Sequence, residues 1–200
     1  QALPTVVESL AIRGGGSVTI DADAAAGDER RAFDFAGADR VIIDGLTITG
    51  GFTGQEDPNG GAIQLNHVRS VRIINSAIEE NHSSRSGGGI SAHNVENLII
   101  SDSSISRNST GSYGYGGGIM VRNTSTFSIQ GSEVDENSSD YGGGGVQLKR
   151  CQLAAIINSE VRGNSTTYGH GGGVKGRDVF ISESEVEQNS AGASSGGGIW

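Results

Sequence analysis

Five copies of a Ser-x-(Ile/Val)-x-x-Asn signature, Ser76–Asn81, Ser103–Asn108, Ser132–Asn137, Ser159–Asn164 and Ser184–Asn189, put residues of like phase in register along the chain. The residue after each serine reads Ala77, Ser104, Glu133, Glu160 and Glu185; two positions on stand Glu79, Ser106, Asp135, Arg162 and Glu187. Carboxylates gathered on one face are the raw material of general acid–base chemistry on a sugar. One group protonates the leaving oxygen while its partner attacks or activates water. Glu133, Asp135, Glu160 and Glu185 are the residues that would carry such a reaction. Stacked glutamates also repel unless screened or ion-bound, which leaves room for a weak calcium site and for no other cofactor. Against catalysis, this column follows the repeat instead of breaking it, and Arg162 softens it. A solvated acidic face accounts for that pattern.

Other candidate chemistry is thinner. His67, His82, His93 and His170 fall in different repeat phases without metal-ligand spacing, so no metal site is expected from them. The glycine runs lack the Lys-Ser/Thr and following helix of a phosphate loop. Cys151 is the only cysteine, which rules out an internal disulfide. Aromatic residues make a better binding candidate. Tyr113, Tyr115, Tyr141, Tyr168 and His170 lie in the loops just ahead of successive glycine tetrads. If those loops are neighbours, the rings form a strip suited to a sugar face or a partner protein. Asn81, Asn108, Asn123, Asn137 and Asn164 each sit in an Asn-x-Ser/Thr sequon. All but Asn123 share with Asn189 the last position of the repeated signature, so a structural ladder explains them and glycosylation is not inferred.

The elements that must position these residues follow from a second, in-phase repeat. Gly-Gly-(Ala/Gly)-(Ile/Val) tetrads end at Ile63, Ile90, Ile119, Val146, Val174 and Ile199, separated by 27, 29, 27, 28 and 25 residues. Each period holds three short alternating stretches. The first carries Ile63 and Leu65 or their equivalents, the second Val71 and Ile73, and the third Ile78. Residues two apart share a strand face, so these apolar positions point inward. Three strands and three turns in about 27 residues predict one triangular coil of an all-β, right-handed parallel β-helix, with equivalent strands stacked about 4.8 Å apart. A left-handed helix would need a strict hexapeptide period, which is absent.

One domain is expected over 1–200, with irregular early coils in 1–59 and regular ones in 60–200. In the early part, Leu10 and Ile12, then Val18 and Ile20, read as strands of an earlier coil, while Val41, Ile43, Leu46 and Ile48 align with the inward positions of the second and third strands. Phe33 and Phe35 stand for the post-glycine strand, and Thr49-Gly50-Gly51 replaces the run to Asn. The total is about seven to eight coils, a rod of roughly 35–40 Å. Neither end carries a cap, which points to an excerpt of a longer chain or to a partner covering the ends.

Composition narrows the function classes. Glycine supplies 34 of 200 residues and proline only two, which excludes collagen and fits turns inside a folded repeat. A formal charge of −9 argues against nucleic acid as a partner. No run of about 18 apolar residues exists, so no transmembrane helix is expected.

The tetrads Gly60–Ile63, Gly87–Ile90, Gly116–Ile119, Gly143–Val146, Gly171–Val174 and Gly196–Ile199 resemble the repeats of polymorphic outer-membrane proteins, which pair Gly-Gly-Ala-(Ile/Leu/Val) with Phe-x-x-Asn. Here Ile or Val replaces the aromatic, as in Ile78-Glu79-Glu80-Asn81. Asp44-Gly45-Leu46-Thr47-Ile48-Thr49-Gly50-Gly51 is similar to the β-helix repeats of large bacterial surface proteins. The resemblance implies an exported, extracellular or cell-surface protein of adhesive type, with no catalytic residue. The leading expectation is a non-catalytic structural or adhesive shaft, meeting protein or carbohydrate at the cell surface through the loop edge, or associating end-on. A carbohydrate-active enzyme on the acidic face is the rival, and a subunit of a larger envelope assembly the third reading. The enzyme predicts a groove beside the acidic columns with cations facing it. The adhesin predicts an even prism with loops along one edge.

Overall fold

Strands begin where the glycine tetrads release the chain into alternating sequence. The computed structural model describes residues 5–23, 29–192 and 195–200. The first strand of a coil is typified by Ile63–Asn66 and Ile90–His93, the second by Ser70–Ile74 and Asn97–Ser101, the third by Ala77–Glu79 and Ser104–Ser106. In two coils the first and second strands run together, as Ile119–Gln130 and Val146–Ile157. Two-residue fourth strands such as His82–Ser83 and Ser109–Thr110 follow each Asn, in place of the loop of varying length expected from the repeat.

Every inter-coil pairing between these strands is parallel, and the coils stack into one sixteen-stranded and one six-stranded sheet. The second face has seven rungs, from Leu10–Asp21 to Val179–Ser182, and no helix occurs among the described residues. The early region obeys the same register: Leu10 pairs with Val41, Ile12 with Ile43, Ile20 with Ile48, and Phe33 with Ile63.

Burial follows the register. Ile43, Ile73, Ile100, Ile129 and Ile156 stack as a fully buried column on the second face, and Ile48, Ile78, Ile105, Val134 and Val161 do so on the third. Elsewhere size is traded between rungs. Phe127 lies beside Ala154, so one large ring is accommodated by a small neighbour without changing the coil's cross-section.

The corners explain the signature residues. Immediately before each Ser and each Asn the backbone turns into the left-handed region, at Asn75 (φ 49°), Asp102 (49°), Glu80 (58°), Arg107 (52°) and Glu136 (52°), with Gly131 and Gly163 at equivalent points. Such a bend takes the following N–H out of the strand ladder. The next coil supplies its acceptor: Ser103 N–H donates to Ser132 Oγ at 3.1 Å, and Asn108 N–H to Asn137 Oδ1 at 2.9 Å. Asn137 Nδ2 in turn donates to Ile105 O (2.8 Å) and to Asn164 Oδ1 (3.0 Å). The same amide-to-amide contact joins Asn81 to Asn108 and Asn164 to Asn189. Buried backbone groups are therefore satisfied by side chains at just the two positions the sequence repeats.

Within the tetrads the two glycines serve different needs. Gly116 has φ 65°, a conformation that L side chains resist. A Cβ on Gly117 would stand 2.3 Å from Ser138 O and 2.4 Å from Gly144 O, so the coils approach too closely there for any side chain.

Asn137→Ala is expected to cost about 3 kcal/mol in urea unfolding, because it strands the Asn108 N–H and one Asn108 Nδ2 hydrogen in the interior. Its neighbour offers the control. Glu136→Gly should leave stability unchanged or raise it by up to about 1 kcal/mol, since it relieves a left-handed residue.

Candidate functional site

Loops between the fourth strand and the next tetrad all emerge on one edge, and the aromatic residues ride on them. Tyr113 and Tyr141 stack with centroids 5.3 Å apart and planes 18° from parallel. Tyr141 also meets Tyr115 at 6.1 Å and Tyr168 at 5.9 Å. All four tyrosines of the chain thus form one strip centred on half-buried Tyr141. Tyr113 and Tyr168 are 69% and 58% exposed, so their rings are presented outward and not packed away. The loops are held by backbone bonds between coils, with Tyr141 N–H donating to Gly114 O, Tyr168 N–H to Asp140 O, and Tyr113 N–H to the Asp140 carboxylate at 2.9 Å. His170 stacks on Trp200 at 4.4 Å, a contact the sequence did not suggest. Partial burial, then the neighbouring Tyr113, Asp140, Tyr115 and Tyr168 charges, raise the Tyr141 phenol above its ordinary value.

The acidic columns lie on the third-strand face. Glu133 pairs with Glu160 and Glu160 with Glu185, while Asp135 is the register partner of Arg162. The Arg162 guanidinium reaches Asp135 at 3.4 Å and Glu160 at 3.6 Å, so one cation sits between two of the four candidate carboxylates and is itself raised by them. Lower on the face Arg107 bridges Glu79 and Glu80 at 2.6 and 3.0 Å. A groove of about 300 Å³ runs beside the column, lined by Glu133, Glu160, Glu183 and Glu185 with Ser and Asn between them; no Lys or Arg is among its described lining residues. Among the described residues no three His, Cys, Asp or Glu side chains gather to hold a metal ion. The histidines are dispersed. His82 packs on Phe52 at 5.2 Å, and burial lowers it; His67 and His93 meet at 6.3 Å across a corner. Burial first, then Arg122 and His67, lower His93. Burial raises the Cys151 thiol, which works against a reactive thiolate.

A third surface was not singled out from the sequence. Two connected grooves, of about 430 and 690 Å³, follow the outward side of the first strands and share Lys149. Arg85, His93, Tyr115 and Arg122 line one; Arg150, Lys175, Arg177 and Trp200 line the other. The signal was present in the repeat phase. Arg122 and Lys149 are register partners three residues after the tetrad's last position, as are Gln147 and Lys175 one residue after it. Reading the repeats for inward residues alone passes over it. Tyr115 belongs to both the strip and this groove, so the two surfaces are continuous.

Among known families, the right handed beta helix region matches residues 31–200. That match is to β-helix regions at large and does not single out polymorphic outer-membrane repeats. No curated protein and no solved structure matches the chain.

In an absorbance titration Tyr141 should ionise above the ordinary phenol value of about 10, and Tyr141→Phe should remove that late component. The folded state keeps this phenol protonated to higher pH than the unfolded chain does. Its contribution to stability is therefore intact below the ordinary phenol value of about 10 and declines as pH rises through the folded one. Urea midpoints on either side of that value should fall less in the Phe variant.

Proposed function

The chain belongs to the right-handed β-helix family, and on that premise we propose that it is a rigid, non-catalytic module displayed outside the cell that holds a glycan on its tyrosine edge. The observation that carries the reading is the gathering of all four tyrosines, two of them largely exposed, into one stacked strip on stacked loops. Pyranose rings present apolar C–H faces, and a row of phenols offers both a flat surface for them and hydroxyls at its rim. Rigidity adds to affinity, because loops pinned by inter-coil hydrogen bonds lose little freedom on binding. Placement outside the cell is supported by the likeness of the tetrads to polymorphic outer-membrane repeats.

The rival reading, a polysaccharide lyase or hydrolase, draws on the groove beside Glu133, Glu160 and Glu185. It is the weaker one, since Arg162 already pairs with Asp135 and Glu160, and the acids continue the repeat pattern.

A panel of polysaccharides incubated with purified protein, with and without calcium, should show binding without release of reducing or unsaturated sugars. Tyr141→Ala should weaken that binding about five- to tenfold. Sugar release abolished by Glu160→Gln would replace this reading with the enzyme. Neither binding nor release would favour a spacer or a subunit of a larger envelope assembly.

A further inference from the structure

We propose that the groove along the first-strand face binds an acidic polysaccharide, a linear glycan carrying carboxylate or sulfate groups, which runs into it from the tyrosine edge. The proposal rests on the reading of that edge as a glycan surface and adds the charge class of the glycan.

Charge distribution is the first reason. The chain carries 23 acidic against 14 basic residues, yet six of the 14, Arg85, Arg122, Lys149, Arg150, Lys175 and Arg177, line these two grooves. Among the described residues none of the six forms an ion pair, whereas on other surfaces Arg13, Arg31, Arg69, Arg107 and Arg162 do and Arg40 and Arg72 do not. Asp178 is the one acid along the lining. A protein with surplus carboxylates could neutralise these cations and does not. Their field is left to act on a ligand of opposite sign.

Hydrogen bonding gives a second and independent reason. Gln147, 7% exposed, lines the groove with its Nε2 committed to Leu148 O (3.1 Å) and Lys175 O (3.4 Å), while its Oε1 has no partner. Gln64, which lines the adjoining groove, likewise has a buried Oε1 without a partner. A buried acceptor without a donor is costly, and a ligand hydroxyl supplies that donor once the glutamine side chain turns its oxygen into the groove. A bare polyanion such as polyphosphate has none to give; a sugar has several. Arg122 and Lys149 are register partners on adjacent coils, at the inter-strand spacing of about 4.8 Å, which suits neighbouring charges along a polymer. Burial lowers the Lys175 ammonium from its ordinary value, a penalty that a bound anion offsets.

The test is titration of the intact chain with heparin, polygalacturonate, polyglutamate and neutral dextran at two salt concentrations, beside the double variant Arg122→Gln/Lys149→Gln and the single variant Tyr141→Ala. Both altered cations are exposed, and circular dichroism melting checks that the fold is kept. The acidic glycans should bind more tightly than dextran. The double variant should lose about tenfold in affinity for them, with a salt slope smaller by about two, one for each cation removed. Dextran binding as well as the acidic glycans, with the double variant silent and Tyr141→Ala impaired, would overturn the groove and leave the tyrosine edge standing. Absence of binding to any glycan would overturn both. Polyglutamate binding as tightly as polygalacturonate would make the occupant an acidic protein and sink the glycan assignment. Self-association in sedimentation that the double variant abolishes would assign the groove to the acidic column of a second copy, which also overturns it.

Discussion

A coil of about thirty residues or fewer must turn sharp corners in its own interior, and each corner removes a backbone N–H from its ladder. Water does not reach these groups, so the next coil has to accept them. Asn108, Asn137 and Asn164, fully buried, solve this by using one amide for several partners: the oxygen takes the N–H and the side-chain amide of the coil before, and the nitrogen donates to a backbone carbonyl and to the coil beyond. Such a bond network works only when equivalent residues lie directly over one another. Serine does the same job at the preceding corner. From this requirement follow the fixed register, the parallel pairing and the closeness of the tetrad backbones that tolerates only glycine at positions such as Gly117.

Register then decides what the surfaces can do. Because each position recurs over its equivalent, a residue type repeated in sequence becomes a column in space. The acids became one column, the tyrosines a strip along the loop edge, and Arg122 and Lys149 a stacked pair of cations on the first-strand face. The sheet faces are rigid enough to hold such columns at constant spacing, which is what a polymeric ligand reads. Function in this design does not need a pocket that interrupts the fold; it needs a choice of outward residues that the ladders leave free.

Much of this was legible in the sequence because alternation and a repeated turn signature report directly on burial. The inward residues of the three regular strands, the early strands at Leu10 and Ile12 and at Val18 and Ile20, and the place of Phe33 and Phe35 in the post-glycine strand can be written down from periodicity alone; the pairing of Leu10 with Val41 and Ile20 with Ile48 came from the structure. The short fourth strand could not: two residues such as His82–Ser83 carry no alternation to detect. Nor could the left-handed corners at Glu80, Arg107 and Glu136, since long charged side chains do not advertise a positive φ and only Gly131 and Gly163 hint at it. The proximity of the tyrosines followed from the loops being neighbours, but their loops differ in length, so ring-to-ring geometry needed coordinates. The basic groove was written in the repeat phase at Arg122 and Lys149; it was missed because pairing, and hence the absence of an ion partner, is not a sequence property.

The central claim is that side-chain acceptors from the next coil hold the corner amides, and hydrogen exchange measures it most directly. Residue-resolved exchange should place the N–H groups of Asn81, Asn108 and Asn137 among the slowest in the chain, together with the second-face strands. Exchange of these three at the rate of the exposed Ser112 amide would contradict it, because amides held by a buried Asn oxygen cannot open without parting the coils.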